Sequence, residues 1–290
     1  MSFIAIDLDG TLLNDRNEIS EENIKAIQSA QEKGFEVVIS TGRAYFDVQT
    51  ICEKAGISPF VIGTNGATIH AKNGECLSSI TLAKDCAKSI LQWLDERNYY
   101  YEVFTDQAIY ALKKGRQRFY NEIQSLKNAG LDMDMAELAT EAERQFDQFG
   151  YVLVESYHDI LSQGEEFNNI LACSFDKMKL EEAWNQFKTN EELMVASSAD
   201  HNIEITNKRA TKGMALEKLA FMLNGTLDQA MAIGDSNNDL SMFEKVECSV
   251  AMGNAKDKIK SACIMTTHTN VENGVAYAIN RYMESFAAAK

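Results

Sequence analysis

Four short apolar runs, at residues 3–6, 35–39, 60–62 and 230–233, each stop at a small group of polar residues. Helical patterns lie between them, and this alternation constrains the fold more than any other feature of the chain. Strand, helix, strand, helix, strand at such spacing calls for a parallel sheet with right-handed crossovers. The first run leads into Asp7-Leu8-Asp9-Gly10-Thr11-Leu12-Leu13. If the chain is still extended there, Asp7 and Asp9 point the same way, out of the end of a strand. Two carboxylates side by side need a hydrogen bond, a proton or a cation to offset their repulsion.

The helices between the runs carry their own punctuation. Ser20 can cap a helix whose apolar positions Ile24, Ile27 and Ala30 recur at helical spacing, and Gly34 closes it. A second helix spans about 44–55, with Gly56 after it. Beyond the third run, Asn73-Gly74 separates Thr68-Ile69-His70 from Cys76-Leu77, a hairpin signal. From about residue 82 the rhythm changes. A helix reaching Arg97 precedes paired strands at 99–104 and 108–112, an acidic stretch at 116–163 reads as helix and loop, and a strand, a helix and a strand follow at 170–175, 177–187 and 193–197. This predicts a mostly antiparallel α+β unit inserted into the first domain. The strand 202–206 marks the return of the α/β rhythm. After it come a helix opened by Thr211-Lys212-Gly213, the strand 230–233, a helix begun by Ser236-Asn237-Asn238-Asp239, a strand at 249–252, and helices at 255–262 and 271–286. The expected fold is therefore α/β, a doubly wound parallel sheet with an inserted α+β domain. The boundaries are 1–82 and 192–290 for the core and 83–191 for the insert.

Charge and cysteine usage narrow the function. A net charge of −15 argues against non-specific binding to nucleic acid or to an anionic membrane. Six cysteines without a C-x-x-C pair read as reduced thiols of a cytoplasmic protein. The first apolar run is too short for a signal peptide, and no window approaches the roughly 18 apolar residues of a membrane span.

Parallel sheets bind ligands at the carboxyl ends of their strands. Asp7, Asp9 and Thr11, then Thr41, Gly42 and Arg43, then Asn65 with Gly66, and finally Asp235, Asn238 and Asp239 should therefore converge there, with Lys212 at a helix start. Clustered carboxylates suit Mg2+, which is usually held by one or two carboxylates together with water and substrate phosphate. Lys212, Thr41, Asn65 and backbone N–H groups near a helix start can hold phosphate oxygens. Each piece alone has a plainer reading: Thr41 a turn residue, Asn65-Gly66 a tight turn, Asp235 and Asp239 helix-start acids, Asn238 a cap or network residue, Arg43 a structural ion pair.

Taken together and in order, these residues resemble the haloacid dehalogenase (HAD) superfamily phosphatases of the Cof type, subfamily IIB. The resemblance rests on Asp7-Leu8-Asp9-Gly10-Thr11-Leu12, Ser40-Thr41-Gly42-Arg43, Asn65-Gly66-Ala67, Lys212-Gly213 and Gly234-Asp235-Ser236-Asn237-Asn238-Asp239. It extends to Ala251-Met252-Gly253-Asn254-Ala255 and Glu272-Asn273-Gly274-Val275-Ala276. It implies Asp7 as nucleophile forming an aspartyl-phosphate, Asp9 as general acid–base, and Mg2+ between Asp7, the main-chain carbonyl of Asp9 and Asp235. It further implies Lys212 steadying Asp7, Asp239 orienting a metal water or Lys212, and phosphate contacts from Thr11, Thr41, Gly42, Arg43, Asn65 and Asn238. The inserted domain would be a cap that closes over a small phosphorylated metabolite and selects it: a sugar phosphate, a flavin precursor, flavin mononucleotide or pyridoxal phosphate. A monomer or weak homodimer is expected. Two other readings use the same residues, a phosphotransferase or mutase and a non-catalytic phosphometabolite-binding regulator. The basic run Lys113-Lys114-Gly115-Arg116-Gln117-Arg118 is either a solvated face or a cap patch for an anionic substrate, while Tyr99-Tyr100-Tyr101 reads as strand packing.

Overall fold

The structure, a computed structural model, describes residues 2–128, 138, 140, 146 and 150–288. The chain opens with β1 (Ser2–Ile6), turns over Leu8–Leu12, and continues through α1 (Glu21–Glu32), β2 (Phe35–Ser40), α2 (Tyr45–Ala55) and β3 (Phe60–Gly63). Ser20 caps α1 by accepting the Asn23 N–H at 3.2 Å. A hairpin follows, β4 (Thr68–His70) and β5 (Cys76–Ser79), joined through Asn73-Gly74 as the dipeptide predicts. Next come α3 (Lys84–Glu96), β6 (Tyr100–Phe104), β7 (Ile109–Leu112), α4 (Gly115–Asn128), β8 (Tyr151–Val154), α5 (Tyr157–Ser162), β9 (Asn169–Cys173), α6 (Lys177–Phe187), β10 (Leu193–Ala196) and β11 (Asn202–Asn207). The last stretch holds α7 (Lys212–Met222), β12 (Met231–Gly234), α8 (Leu240–Phe243), β13 (Cys248–Ala251), α9 (Asp257–Ala262), β14 (Met265–Thr266) and α10 (Gly274–Ala288).

Two compact units result: Met1–Ser79 with Arg209–Lys290, and Ile80–Lys208. The first is built on a sheet of order β14-β13-β12-β1-β2-β3-β4-β5, parallel from β14 through β3 and antiparallel in the hairpin. Successive strand residues face opposite sides, so each side acquires its own core. Ile4, Ile6, Val37, Ile39 and Ile233 pack with Ile27 of α1, Val48 of α2 and Ile279 of α10. Phe3, Ala5, Val38, Ile62 and Ala232 pack with Leu216 and Leu219 of α7. This is the doubly wound sheet expected. Because β12, β1, β2 and β3 are neighbours, the four polar strand ends lie side by side.

The second unit carries a sheet of order β10-β11-β9-β6-β7-β8, antiparallel except for the parallel pair β7–β8. Tyr101, Val103, Ile170, Ala172, Ile203 and Ile205 form its core with residues of α3, including Ile90, Leu91 and Leu94.

Two expectations need correction here. The strand at 202–206 does not belong to the returning core: β11 pairs antiparallel with both β9 and β10, so the unit extends to Lys208 rather than to 191. Its alternation is consistent with that pairing. Ile203 and Ile205 enter the core while Asn202, Glu204 and Thr206 take the other face, the pattern of an antiparallel strand rather than of the unbroken apolar runs in β1 and β12. At the other junction, Leu82 bridges Phe167 and joins the insert. Within 116–163, read as helix and loop, Tyr151-Val152-Leu153-Val154 forms the edge strand β8. The reading of 129–137, 139, 141–145 and 147–149 lies outside the described residues. Of the basic run, Lys113 pairs with Glu155 at 2.6 Å, Arg118 with Asp95 at 2.8 Å, and the Arg116 guanidinium lies 4.5 Å from the centre of the Phe146 ring. These three of the four cations in the run thus have partners inside the unit. Tyr99, Tyr100 and Tyr101 are buried, as expected of strand packing. All six cysteines are free thiols. No helix among the described residues is long and apolar enough to cross a membrane.

Candidate active site

Asp7 follows the last residue of β1, and its N–H extends the parallel ladder by donating to Ile233 O at 2.9 Å. That bond sets Asp7 beside the end of β12, where Asp235 follows Gly234. The chain then turns sharply. Gly10 has φ 73°, and a Cβ there would sit 2.7 Å from Asp235 Oδ2. Glycine is needed both for the left-handed backbone and for the close approach. Thr11 Oγ1 donates to Asp235 Oδ1 at 3.0 Å, tying the turn to β12.

Lys212 lies at the start of α7, capped by Thr211, whose side chain accepts the Met214 N–H. The ammonium is fully buried and donates to Asp7 Oδ1 at 2.6 Å and to Asp239 Oδ1 at 2.7 Å. Asp239 is itself fully buried. Its second oxygen accepts the N–H groups of Asp235 (2.9 Å) and Ser236 (3.0 Å), so its carboxylate is held between the lysine and the main chain. Carboxylate oxygens of Asp7, Asp235 and Asp239 all lie within 4.8 Å of one another.

The electrostatics follow from burial. Desolvation, then the negative charge of Asp239, push Asp7 well above the usual carboxylate range, against the pull of Lys212. Asp235 is pushed up to about 6 for the same two reasons in the same order. Burial favours the neutral amine of Lys212, yet Asp239 and Asp7 outweigh it and hold the group above the ordinary lysine value. Three acids and one ammonium leave two negative charges in excess when all are ionised. The donors are all carboxylate oxygens, with no imidazole or thiolate in the cluster, which is the chemistry of a hard divalent cation such as Mg2+.

The remaining predicted residues take definite places. Asp9 stands apart from the cluster: half-exposed, its carboxylate receives Arg43 Nε at 2.9 Å and a terminal guanidinium nitrogen at 2.6 Å. Asp7 and Asp9 thus have different partners, with the left-handed turn at Gly10 following Asp9. Arg43 also binds Asp47 at 2.8 Å, and despite burial the two acids keep it above its ordinary value. Buried Thr41 accepts the Arg43 N–H on its hydroxyl at 3.1 Å, with Gly42 between them. Thr41 O accepts the Asn65 N–H at 2.9 Å. Asn65 Oδ1 accepts Asn238 Nδ2 at 3.0 Å, which joins the ends of β3 and β12. Thr64, Asn65 and Gly66 all have positive φ (49°, 55° and 98°). A Cβ on Gly66 would lie 2.3 Å from Thr211 O, so this turn packs directly on the helix start that presents Lys212. Asp47 was not singled out in the sequence; its position four residues after Arg43 was the available signal.

Residues 4–279 match the family of haloacid dehalogenase-like hydrolases. Phosphatase YwpJ of Bacillus subtilis (strain 168) is 45% identical over 285 residues, spanning 98% of this chain and 100% of the relative. The 5-amino-6-(5-phospho-D-ribitylamino)uracil phosphatase YwtE of the same organism is 38% identical over 283 residues, 98% of each chain. A solved haloacid dehalogenase-like hydrolase from B. subtilis superposes with a TM-score of 0.86 at 45% identity, covering 97% of this chain and 99% of that one. The chain belongs to the haloacid dehalogenase-like hydrolases, in their Cof-type branch. It is an enzyme of that class, a phosphatase.

Proposed function

We propose that this phosphatase hydrolyses monoesters of small phosphorylated metabolites, with Mg2+ as cofactor and Asp7 as the nucleophile. The observation that carries the reading is the buried Asp7 carboxylate, held by Lys212 at 2.6 Å and within 4.8 Å of Asp235 and Asp239. Asp7, Asp235 and the main-chain carbonyl of Asp9 would hold the Mg2+, and the bound cation would supply charge neutralisation for the phosphoryl oxygens.

Within this reading Lys212 fixes the Asp7 carboxylate and offsets its charge. An Asp7 oxygen forms a bond to phosphorus as the bond from phosphorus to the ester oxygen breaks. Asp9 gives its proton to the departing oxygen. In the second half, Asp9 takes a proton from water, the water oxygen bonds to phosphorus, and the bond to Asp7 breaks. Arg43 keeps Asp9 at the rim of the site. Thr41 and Gly42 at the β2 end, Asn65 at the β3 end and Asn238 after β12 would contact the phosphate. Thr11 braces Asp235 through its hydroxyl. The unit Ile80–Lys208 selects the substrate, since all the residues assigned to chemistry come from the other unit. The 38% identical relative makes a phosphorylated flavin precursor the first substrate to try, followed by flavin mononucleotide, sugar phosphates and pyridoxal phosphate.

Asp7→Asn is expected to abolish turnover of a chromogenic phosphate ester in the presence of Mg2+ while leaving the folded spectrum intact. Near-normal turnover would overturn the nucleophile assignment. Hydrolysis in oxygen-labelled water should place label in the released phosphate; phosphate without label would favour transfer to another hydroxyl. A panel of metabolites ranked by kcat/KM then identifies the substrate.

A further inference from the structure

Two sequence motifs, Ala251-Met252-Gly253-Asn254-Ala255 and Glu272-Asn273-Gly274-Val275-Ala276, have no part in the chemistry above. In the structure both converge on the turn that carries Asp7. Their glycines approach one stretch of main chain. A Cβ on Gly253 would lie 2.8 Å from Thr269 N, and one on Gly274 would lie 2.2 Å from His268 O. The Gly253 N–H donates to His268 O at 2.9 Å, and Thr267 Oγ1 donates to Gly274 O at 2.7 Å. This packing brings Asn254 and Asn270 together, with the Asn270 N–H donating to Asn254 Oδ1 at 3.1 Å. Each asparagine then reaches the nucleophile turn: Asn254 Nδ2 donates to Gly10 O and Asn270 Nδ2 to Leu13 O, both at 2.8 Å. Buried Asn23 of α1 adds a third bond, from Nδ2 to Leu12 O at 3.4 Å, while its Oδ1 accepts the Ala276 N–H at 2.9 Å.

We propose that Asn254, held by Asn270, is a positioning residue for the catalytic turn. The peptide between Gly10 and Thr11 is planar, so fixing the Gly10 carbonyl fixes the direction of the Thr11 N–H and the position of Thr11 Cα, from which the side chain departs. Thr11 in turn braces Asp235. The clasp acts at Gly10, the link with the greatest rotational freedom. Asn254 is exposed, so it contributes through this bond and not through core packing. The proposal rests on the reading of Asp7 as nucleophile.

The test uses the full chain, para-nitrophenyl phosphate and saturating Mg2+, with Asp7→Asn alongside. Asn254→Ala should lower kcat by about 10- to 100-fold, the scale on which small misplacements act. Its KM should stay within about twofold and its thermal midpoint should not move. Asn254→Asp keeps the acceptor for the Asn270 N–H but sets an oxygen against the Gly10 carbonyl, and should lower kcat at least as far. Asn270→Ala keeps the main-chain N–H that holds Asn254 and removes only the bond to Leu13 O, so it should lower kcat less than Asn254→Ala does. Wild-type kcat in Asn254→Ala would overturn the proposal. So would a loss confined to KM, which marks a substrate contact, or a loss that follows a fall in thermal midpoint. Turnover surviving in Asp7→Asn would instead remove the nucleophile assignment and the proposal with it.

Discussion

At Lys212 one buried ammonium is shared between two buried carboxylates, and Asp235 stands beside them with a value pushed up to about 6. Burial is the first cause and Asp239 the second. Asp235 has a folded value above its unfolded value near 3.8, so its contribution to stability is fully present below the unfolded value and is lost as pH rises through about 6. A divalent cation binds the ionised carboxylate and opposes that loss. The rise in thermal midpoint produced by Mg2+ is therefore expected to grow between about pH 5 and about pH 7.5. Comparing melts with and without Mg2+ at each pH cancels the carboxylates that do not hold the cation, and Asp7, raised as well, acts in the same direction; an increment independent of pH would contradict the assignment.

At the scale of elements, the site depends on how closely backbones approach. The turn after β1 passes Asp235 at a distance that leaves no room for a Cβ on Gly10. Gly10→Ala should cost about 1–2 kcal/mol from the left-handed backbone alone, read by urea unfolding. It should also displace the Asp235 carboxylate, so the Mg2+ concentration for half-maximal activity should rise by more than about tenfold, a loss of about 1.4 kcal/mol. An alanine variant with unchanged Mg2+ dependence would show that the turn yields without moving Asp235. The helix start at Lys212 is set from both sides, by the Thr211 cap and by Gly66 packed on the Thr211 carbonyl.

At the scale of the molecule, the two units have separate sheets and separate cores. The proposed metal ligands lie in one unit, and both tryptophans, Trp93 and Trp184, lie in the other. Adding Mg2+ should therefore raise the component of the far-ultraviolet circular dichroism transition that belongs to the first unit. The tryptophan fluorescence transition should stay where it is. Transitions that move together by the same amount would show that the units unfold as one.

The strands of the first sheet, their polar ends and the hairpin at Asn73-Gly74 were legible in the sequence because each signal is local: an apolar run, a stop, a turn dipeptide. The site residues could be named for the same reason, since parallel strands deliver their ends to one place. Partnership was not legible. Thr11 meets Asp235 across 224 positions, Lys212 meets Asp7 across 205, and Arg43 meets Asp9 across 34. Arg43 is committed to Asp9 and Asp47, and Asp9 lies outside the carboxylate cluster, facts no spacing along the chain contains. The alternation in β11 was visible, but not the sheet it would join, because alternation records only that two faces differ. By itself, then, the sequence determined which residues stand at the strand ends. Tertiary structure decided which of them share a proton, a charge or a hydrogen bond, because those energies depend on distance and burial rather than on order in the chain.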